Sequence, residues 1–352
     1  PFERIKREIF VRKEAETSNK YGKKPSDRSV EELLNLGIVN IDKPSGPTSH
    51  QVSAYVKQIM KIKKAGHSGT LDPQVTGVLP IAMTKATKVL QTLLRSGKEY
   101  VCIMHLHKPV DEYELHKVIG EFVGKIRQLP PVKSAVKREW RYRKVYYIDV
   151  IEFVGQDVLF AIGCQAGTYI RKICHDIGKK LGCGAHMAEL RRTKAGPFNE
   201  NDLFSLQDLT DAFHYYNEEG NDKFLRKVVK NVEDAVAHLP KVWVFDTTVD
   251  TICHGASLAV PGISKVQSDI QVGDLVAVFT LKDELICYGE SKMVSKDMLK
   301  DKGLAVITDK VIMQPGTYPK MYSDPDNRQS NPLWPLQNHV LFWCLNTFSI
   351  PD

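Results

Sequence analysis

A single acidic side chain, Asp72, lies in a turn that is rich in glycine and small hydroxyl residues. The segment 66–73 reads GHSGTLDP, so the acid follows two glycines and precedes a proline. Turns of this composition lie at protein surfaces and can hold a side chain out toward a ligand. A carboxylate held in this way can attack or stabilise an electron-poor carbon of a sugar, or remove a proton. The same composition also suits an ordinary structural Asp-Pro turn, and the turn alone leaves both interpretations open.

Three later segments supply rings, an apolar residue and cations that such a reaction could use. They contain Tyr100, Tyr169, Arg171, Leu190, Arg191 and Arg192. A tyrosine ring can stack on a base that has left its stack, and its hydroxyl can relay a proton. A guanidinium close to Asp72 would keep that carboxylate ionised and fix its rotamer. Tyr169 and Arg171 share one side only if the backbone between them is extended. Periodicity alone favours a core position for Tyr100 and a solvated helix start for Arg171.

In their order along the chain, these segments resemble the TruB/dyskerin family of RNA pseudouridine synthases. The resemblance rests on 42–49 (DKPSGPTS), 66–73 (GHSGTLDP), 98–100 (KEY), 167–171 (GTYIR) and 189–193 (ELRRT). A further segment, 254–263 (HGASLAVPGI), is similar to the opening of a PUA domain, an RNA-binding module. The resemblance extends over residues 37–322. It implies an α+β catalytic domain, with a mainly antiparallel mixed sheet flanked by helices, followed by a small all-β PUA domain.

The same resemblance implies roles for individual residues. Asp72 is the expected catalytic carboxylate, Tyr100 is expected to stack on the uracil, and Arg171 is expected to hold Asp72. Further substrate-binding positions are Tyr169, Leu190 and His67. The first two would shape the pocket. For the histidine, splaying of the RNA and a structural place in the turn are both open.

Cations in and near these segments are expected to contact RNA. They are Lys43, Lys137, Arg138, Arg141, Arg191 and Arg192. Lys43 has a second interpretation, because its segment makes a tight strand-to-helix turn that would support the Asp72 loop. Between residues 133 and 144, Trp140 and Tyr142 stand among basic residues. Rings that stack beside cations that neutralise phosphate suit an RNA-facing surface, and a solvated strand is the alternative.

Pseudouridine formation breaks the bond between C1′ and N1, turns the uracil and joins C5 to C1′. The reaction is redox-neutral. The sequence shows no P-loop, no dinucleotide-binding fingerprint and no metal-ligand cluster, so we expect neither a cofactor nor a metal. The carboxylate of Asp72 could stabilise an oxocarbenium ion, attack it, or remove a sugar proton. The sequence leaves these roles open.

Within the family, the chain is most similar to the archaeal dyskerin homologues, which are catalytic subunits of H/ACA ribonucleoproteins. The segments 5–8 (IKRE) and 105–107 (HLH) indicate this branch, while Leu129 departs from it because an arginine usually stands there. The resemblance implies isomerisation of uridine in ribosomal RNA under guide-RNA direction, with the tRNA T-loop as a further substrate. The implied partners are an H/ACA guide RNA, the substrate RNA and three small core proteins, with no membrane. The implied location is the cytoplasm in an archaeon or the nucleolus in a eukaryote. The alternatives are a guide-independent T-loop synthase and a non-catalytic RNA-binding scaffold.

Length and composition are those of an ordinary globular protein with an anionic partner. A chain of 352 residues suggests two or three domains. The net charge of +7 favours a nucleic acid as the partner. Seven cysteines are scattered without a Cys-x-x-Cys pair, which indicates reduced core residues rather than disulfides or a zinc site. No apolar run is long enough to span a bilayer.

Pattern and composition divide the chain into four parts. Residues 1–36 are an arm expected to pack on the C-terminal domain, 37–239 the catalytic domain, 240–322 the PUA domain, and 323–352 an irregular tail without an assigned function. Apolar spacing predicts helices over 49–60, 85–95 and 113–123 and after residue 169. It predicts strands over 38–41, 77–83, 98–105, 144–153 and 158–165. Residues 221–238 are predicted as a helical connector, and short strands follow residue 240.

Overall fold

The computed structural model describes residues 5–130 and 137–320. The chain divides into two compact units. The first takes in Lys24–Pro240 together with the described residues before Glu8, and the second takes in Glu8–Lys23 and the chain from Lys241 onward. Among the described residues, no helix combines the length and the apolar character that crossing a membrane requires.

Eight helices and seventeen strands form the described part of the chain. The helices are α1 (Val30–Asn35), α2 (Ser49–Ile59), α3 (Leu90–Arg95), α4 (Glu112–Gly120), α5 (Ile170–Lys180), α6 (Leu206–Glu219), α7 (Lys223–Val228) and α8 (Asp246–Cys253). The strands of the first unit are β2 (Gly37–Lys43), β3 (Ala65–His67), β4 (Thr76–Met83), β5 (Lys98–Leu106), β6 (Gly124–Gln128), β7 (Arg141–Val154), β8 (Asp157–Cys164), β9 (Ala185–Ala195), β10 (Phe198–Asn199) and β11 (Val229–Asn231). Those of the second unit are β1 (Ile9–Val11), β12 (Lys241–Val244), β13 (Leu258–Ala259), β14 (Ile263–Gln267), β15 (Leu275–Phe279), β16 (Leu285–Ser291) and β17 (Leu304–Val311).

The first unit is built on one large sheet with the order β11-β2-β4-β9-β5-β8-β7-β6, to which β3 and β10 add at β4 and β9. Neighbouring strands are antiparallel except β4 and β9, which run parallel. Two apolar cores form against this sheet. One packs β5 and β8 against α4 and α5. The other packs β2 and β4 against α2 and α6. The predicted α+β fold with a mainly antiparallel mixed sheet is confirmed.

The first turn of α2 shows why this helix was predictable. Thr48 and Gln51 form a capping box, in which the Gln51 N–H donates to Thr48 Oγ1 at 3.2 Å and the Thr48 N–H donates to Gln51 Oε1 at 2.8 Å. This exchange satisfies backbone N–H groups that have no partner within the helix. Val52, Val56 and Met60 recur at helical spacing and are fully buried.

Two predicted helices differ from the structure. Residues 84–89 form a 3-10 turn, and the α-helix begins only at Leu90. The predicted helical connector 221–238 contains the short α7, then strand β11, then a 3-10 turn. The three residues of β11 become a strand because they pair with β2, a contact that spans most of the unit and that no local pattern reports.

The second unit is a seven-stranded sheet with the order β1-β14-β12-β15-β16-β17-β13. Its first strand belongs to the N-terminal arm, since Ile9 pairs with Gln267 and Val11 with Lys265. The arm is held further by Asp246, whose carboxylate accepts from Thr17 Oγ1 at 3.0 Å and from the Ser18 N–H at 2.8 Å. This small β domain also contains α8, which the sequence did not predict.

Candidate active site

Asp72 lies in the loop between β3 and β4, and the backbone of this loop is fixed from below. The Leu71 N–H donates to Ser49 Oγ at 2.8 Å, and the same hydroxyl donates back to the Leu71 carbonyl at 3.2 Å. The Val75 N–H closes the turn on the Asp72 carbonyl at 3.0 Å. Leu71 and Val75 are buried on either side of the acid. The Asp72 side chain itself remains 54% exposed, so a rigid loop presents one carboxylate to solvent.

Lys43 lies beneath this loop and is completely buried. Its ammonium donates to the carbonyls of Pro44, Pro73 and Val75, each at 2.9 Å. All three N–H groups are therefore satisfied inside the protein. Burial lowers the pKa of Lys43, and the negative charge of Asp72 opposes that change. The expectation of an RNA contact at Lys43 is corrected to its alternative, a structural support of the Asp72 loop.

Arg171 binds Asp72, since its Nη2 donates to Asp72 Oδ2. The helix predicted after residue 169 is confirmed, because α5 begins at Ile170 and Arg171 occupies its first turn, so Tyr169 and Arg171 are not joined by extended backbone. The guanidinium reaches the carboxylate from the helix start instead. Both side chains are about half exposed, at 55% and 54%. An ion pair this exposed adds little stability. What the Arg171–Asp72 pair does is fix the direction in which the carboxylate points.

Gln128 holds the start of α5, and sequence reasoning missed it. Tyr169 precedes the helix without a side-chain cap. The Gln128 amide exchanges two hydrogen bonds with its backbone: the Tyr169 N–H donates to Oε1 at 3.0 Å, and Nε2 donates to the Tyr169 carbonyl at 3.1 Å. Gln128 is almost completely buried at the end of β6. One glutamine at the end of a strand gives no local signal of this contact, which spans 41 positions.

Tyr100 and Leu190 share one face of the sheet. Tyr100 pairs with Arg192 between β5 and β9, and Cys102 pairs with Leu190. Cross-strand partners point to the same face, and residues two apart in a strand do as well. Both Tyr100 and Leu190 are partly buried against the core that contains α5. The structure therefore brings these two side chains to the sheet face from which α5 extends Arg171 to Asp72.

Arg192 is 1% exposed, so the expected phosphate contact at this residue is wrong and the residue belongs to the site interior. Its Nε donates to the Val78 carbonyl at 2.7 Å, and its Nη2 donates to the Gly69 carbonyl at 3.4 Å. Gly77 makes this arrangement possible, because a Cβ there would overlap the Arg192 backbone carbonyl. The arginine is a component of the site interior and cannot reach a phosphate in solvent.

Arg191 points to the other face and is held by two carboxylates. Its guanidinium donates to both Asp42 oxygens at 3.0 and 3.1 Å and to Glu200 Oε1 at 2.6 Å. The Asp42 hydrogen bond is the first cause of a raised pKa. Two negative charges around one positive charge disfavour a phosphate, so electrostatics argue against the expected RNA contact.

His67 ends β3 and is half-buried. Its Nδ1 accepts from the Gly69 N–H at 3.4 Å. Burial lowers the pKa of His67, and the nearby Arg192 charge lowers it further, which favours the neutral ring. These contacts support the structural interpretation of His67 over the RNA-splaying one.

The hairpin of β6 and β7 carries the remaining expected RNA contacts. Lys137 and Arg138 are exposed. Arg141 donates to Glu139 at 3.2 Å and is partly exposed. Arg127 lies over the Trp140 ring and Lys125 over the Tyr142 ring, at 4.6 and 4.4 Å from the ring centroids. Lys133 of the same basic stretch lies outside the described residues. Cations and exposed rings thus alternate on this surface.

Family descriptions match along most of the chain. Residues 57–170 match the TruB family pseudouridylate synthase N-terminal domain, and residues 171–237 match the tRNA pseudouridylate synthase B C-terminal domain. Residues 4–53 match the DKCLD domain, and residues 240–312 match the PUA domain. Together with the fold and the exposed carboxylate, these matches define an RNA pseudouridine synthase with a PUA domain.

Relatives and solved structures narrow this class. The chain is 57% identical to proteins described as probable tRNA pseudouridine synthase B in Methanopyrus kandleri and Nanoarchaeum equitans, over 92% of its own length and 95% and 92% of theirs. It is 52% identical to a chain of a Cbf5-Nop10-Gar1 complex, covering 91% of this chain and 98% of that one with a TM-score of 0.87. For a chain of an H/ACA RNP bound to a substrate RNA containing 2′-deoxyuridine, identity is 50%, coverage 92% and 99%, and the TM-score 0.85. The chain belongs to the TruB/dyskerin family of pseudouridine synthases, in its archaeal branch.

Proposed function

We propose that this chain isomerises uridine to pseudouridine in ribosomal RNA under the direction of an H/ACA guide RNA. The observation that carries the proposal is the similarity, at 50% identity and over nearly the whole of both chains, to the chain of an H/ACA RNP bound to substrate RNA. The partners that follow are a guide RNA, its target and three small core proteins, two of which the Cbf5-Nop10-Gar1 complex names. The location that follows is the cytoplasm of an archaeon.

Asp72 is the group we assign to the reaction. The isomerisation detaches N1 of the uracil from C1′, turns the base and forms the C5–C1′ bond, with the C5 proton lost and a proton gained at N1. A carboxylate beside C1′ stabilises or attacks the positive charge that develops there, or removes a sugar proton. Each role requires an ionised carboxylate with a fixed direction. Arg171 supports this requirement by donating to Asp72 Oδ2.

The flipped uridine would enter the space between the Asp72 loop and the sheet face of Tyr100. A base that has left its helix needs a ring to stack on and an apolar surface beside it. Tyr100 and Leu190 offer both from adjacent strands. Tyr169, whose backbone Gln128 holds, would line the same pocket at the start of α5.

The hairpin of β6 and β7 is where we expect the RNA backbone to bind. Its cations are exposed or lie over aromatic rings, unlike the buried Lys43 and Arg192. Phosphate contacts of this kind give affinity that depends on salt and little on sequence. Sequence selection would then come from the guide RNA.

A second candidate function is guide-independent modification of the tRNA T-loop. The description of several relatives as probable tRNA pseudouridine synthase B favours it. Tritium release from uridine-labelled RNA distinguishes the candidates, measured on tRNA and on a ribosomal target, each with and without guide RNA and core proteins. We expect release from the ribosomal target only when the guide is present. Release that never responds to the guide would contradict the proposal, and tight binding without release from any RNA would indicate a scaffold.

A further inference from the structure

The first turn of α5 is attached to strand β6 through the side chain of Gln128. The Tyr169 N–H donates to Gln128 Oε1 at 3.0 Å, and Gln128 Nε2 donates to the Tyr169 carbonyl at 3.1 Å. Two hydrogen bonds that run in opposite directions between one planar amide and one residue fix both the distance and the orientation of that residue. Gln128 is 3% exposed, and an unpaired amide at this depth would cost free energy. The end of β6 therefore sets where the helix begins.

Arg171 is built on the same carbonyl. The Tyr169 carbonyl accepts the first hydrogen bonds of the helix, from the N–H groups of Lys172 and Ile173, each at 3.1 Å. Arg171 lies inside the turn that these bonds close, and its Nη2 donates to Asp72 Oδ2. The helix start has no side-chain cap of its own. A shift of the Tyr169 peptide therefore moves the base of the side chain that directs Asp72.

The segment that leads into α5 is attached to the second strand of the same hairpin. Arg143 Nε donates to the Gly167 carbonyl at 3.2 Å. The Gln165 N–H donates to the Lys144 carbonyl at 2.8 Å, and the Lys144 N–H donates to Gln165 Oε1 at 3.1 Å. If the Gln128 amide is removed, these bonds still attach the segment to β7, and the helix start loses a support.

We propose that Gln128 is a positioning residue for the isomerisation: by holding the first turn of α5 against β6, it keeps the Arg171 guanidinium directed at Asp72. The inference rests on the proposed function, in which Asp72 acts at the sugar. Gln128 acts through Arg171, because its buried amide is bonded to the Tyr169 backbone. Gln128 also pairs with Arg141 across the hairpin. The hairpin on which we expect RNA to bind therefore also supports the helix start.

The first test removes the amide and compares the variant with a matched glutamine. Gln156 Nε2 donates to the Leu106 carbonyl at 2.6 Å, at the end of β5 that is opposite Tyr100. In the guide-assembled complex, we expect Gln128→Ala to lower the single-turnover rate about 10-fold and to change RNA affinity less than about 2-fold. Gln156→Ala should leave both unchanged, with rates measured well below the thermal midpoint of each variant. An unchanged rate in Gln128→Ala, or an equal loss in Gln156→Ala, would overturn the inference.

The second test uses pH to separate positioning from support of the fold. Gln128→Glu is similar in size, and its ionised carboxylate can accept from the Tyr169 N–H but has no proton for the Tyr169 carbonyl, whereas the protonated acid restores both bonds. Because burial raises the pKa of a carboxyl group, we expect its rate relative to the wild type to rise from about one tenth at about pH 8 to above about one half at about pH 5.5. Asp72 is present in both proteins, so its own titration cancels in this ratio. A ratio that stays constant with pH would contradict the positioning role.

The third test asks whether Gln128 acts through Arg171. In the Arg171→Met background, Gln128→Ala should lower the rate less than about 2-fold, because the side chain that it directs is then absent. An equal loss in both backgrounds would show that Gln128 supports the fold only.

A crystal structure of Gln128→Ala supplies a readout that needs no catalysis. The Arg171 guanidinium should no longer lie within hydrogen-bond distance of Asp72 Oδ2. If the wild-type complex modifies no RNA, the proposed function fails, while this structure still decides the role of Gln128. An intact contact between Arg171 and Asp72 in the variant would overturn that role.

Discussion

The basic residues of the site interior and those of the β6–β7 hairpin occupy opposite environments. Under the Asp72 loop, Lys43 and Arg192 are buried and donate to backbone carbonyls. On the hairpin, Lys137 is exposed, and Lys125 and Arg127 lie over aromatic rings that solvent reaches. Residue type alone does not separate the two sets in the sequence. The difference teaches that a basic residue in the sequence is available to a phosphate only if the fold leaves it at the surface.

The largest expected effect comes from the carboxylate that the interior cations support. Asp72→Asn should lower the single-turnover rate by about 10⁴-fold or more, because it removes the one group assigned to the sugar. RNA affinity should change less than about 2-fold, since phosphate contacts supply most of it. Tritium release gives the rate and filter binding gives the affinity. A residual rate close to that of the wild type would refute the assignment.

Arg171 is the next test, because it is a cation of the site that solvent still reaches. Arg171→Met should lower the single-turnover rate about 100-fold, as Asp72 loses the donor that fixes its direction. Arg171→Lys keeps the charge without the guanidinium fork, so its single-turnover rate should lie between those of the wild type and Arg171→Met. The thermal midpoint should stay nearly constant for both variants, because the pair is half exposed. If either variant lowered the thermal midpoint as much as a substitution of a buried residue does, Arg171 would instead be a structural cation like Lys43.

Lys43→Met tests whether a buried cation of the site interior has a structural role. The substitution leaves three carbonyls without their donor, and the free energy of unfolding should fall by about 2–3 kcal/mol. Urea denaturation followed by circular dichroism measures this change. The salt dependence of RNA binding should remain that of the wild type when measured well below the unfolding midpoint. A reduced salt slope with unchanged stability would restore Lys43 as a phosphate contact.

Substitutions of the hairpin cations should give the smallest effect. They should change RNA affinity, whereas the substitutions above change the rate or the stability. Lys137→Ala and Arg138→Ala should each weaken RNA binding by up to about 10-fold and reduce the log–log salt slope by about one per lost phosphate contact. Thermal stability and the rate at saturating RNA should stay unchanged. Glu139→Ala is a useful counterpart, since it removes the acid that faces Lys137 and Arg141 and should strengthen binding. An unchanged slope in both cation variants would favour a solvated strand.

The elements that could be predicted are those whose signals are local. Thr48 and Gln51 mark the start of α2 within four residues, and a run of apolar residues with β-branched and aromatic members marks β8. The contact of Arg171 with Asp72 was also predictable, although only through the resemblance. The residue types alone would not have separated it from a solvated arginine.

What escaped prediction depends on partners that are distant in the sequence. Whether Arg192 is buried is decided by the carbonyls of Val78 and Gly69, which lie 114 and 123 positions away. The burial of Lys43 depends on Val75, 32 positions away. Gln128 has no distinguishing neighbours at all. A charge pattern reports which residues are basic, while the register of β4 with β9 determines which of them face inward.

The arm of the second unit has a consequence for how the chain is made. β1 pairs with β14, a strand that lies about 250 residues further along the chain. At a synthesis rate of about 5–20 residues per second, Ile9 and Val11 emerge roughly 10 to 50 seconds before their partner exists. During that interval Phe10, which packs against the core of the second unit in the folded chain, has no sheet to cover it. The second unit therefore cannot be completed before β14 has been synthesised, and a chaperone that shields the β1 segment of the nascent chain would be expected to raise the yield.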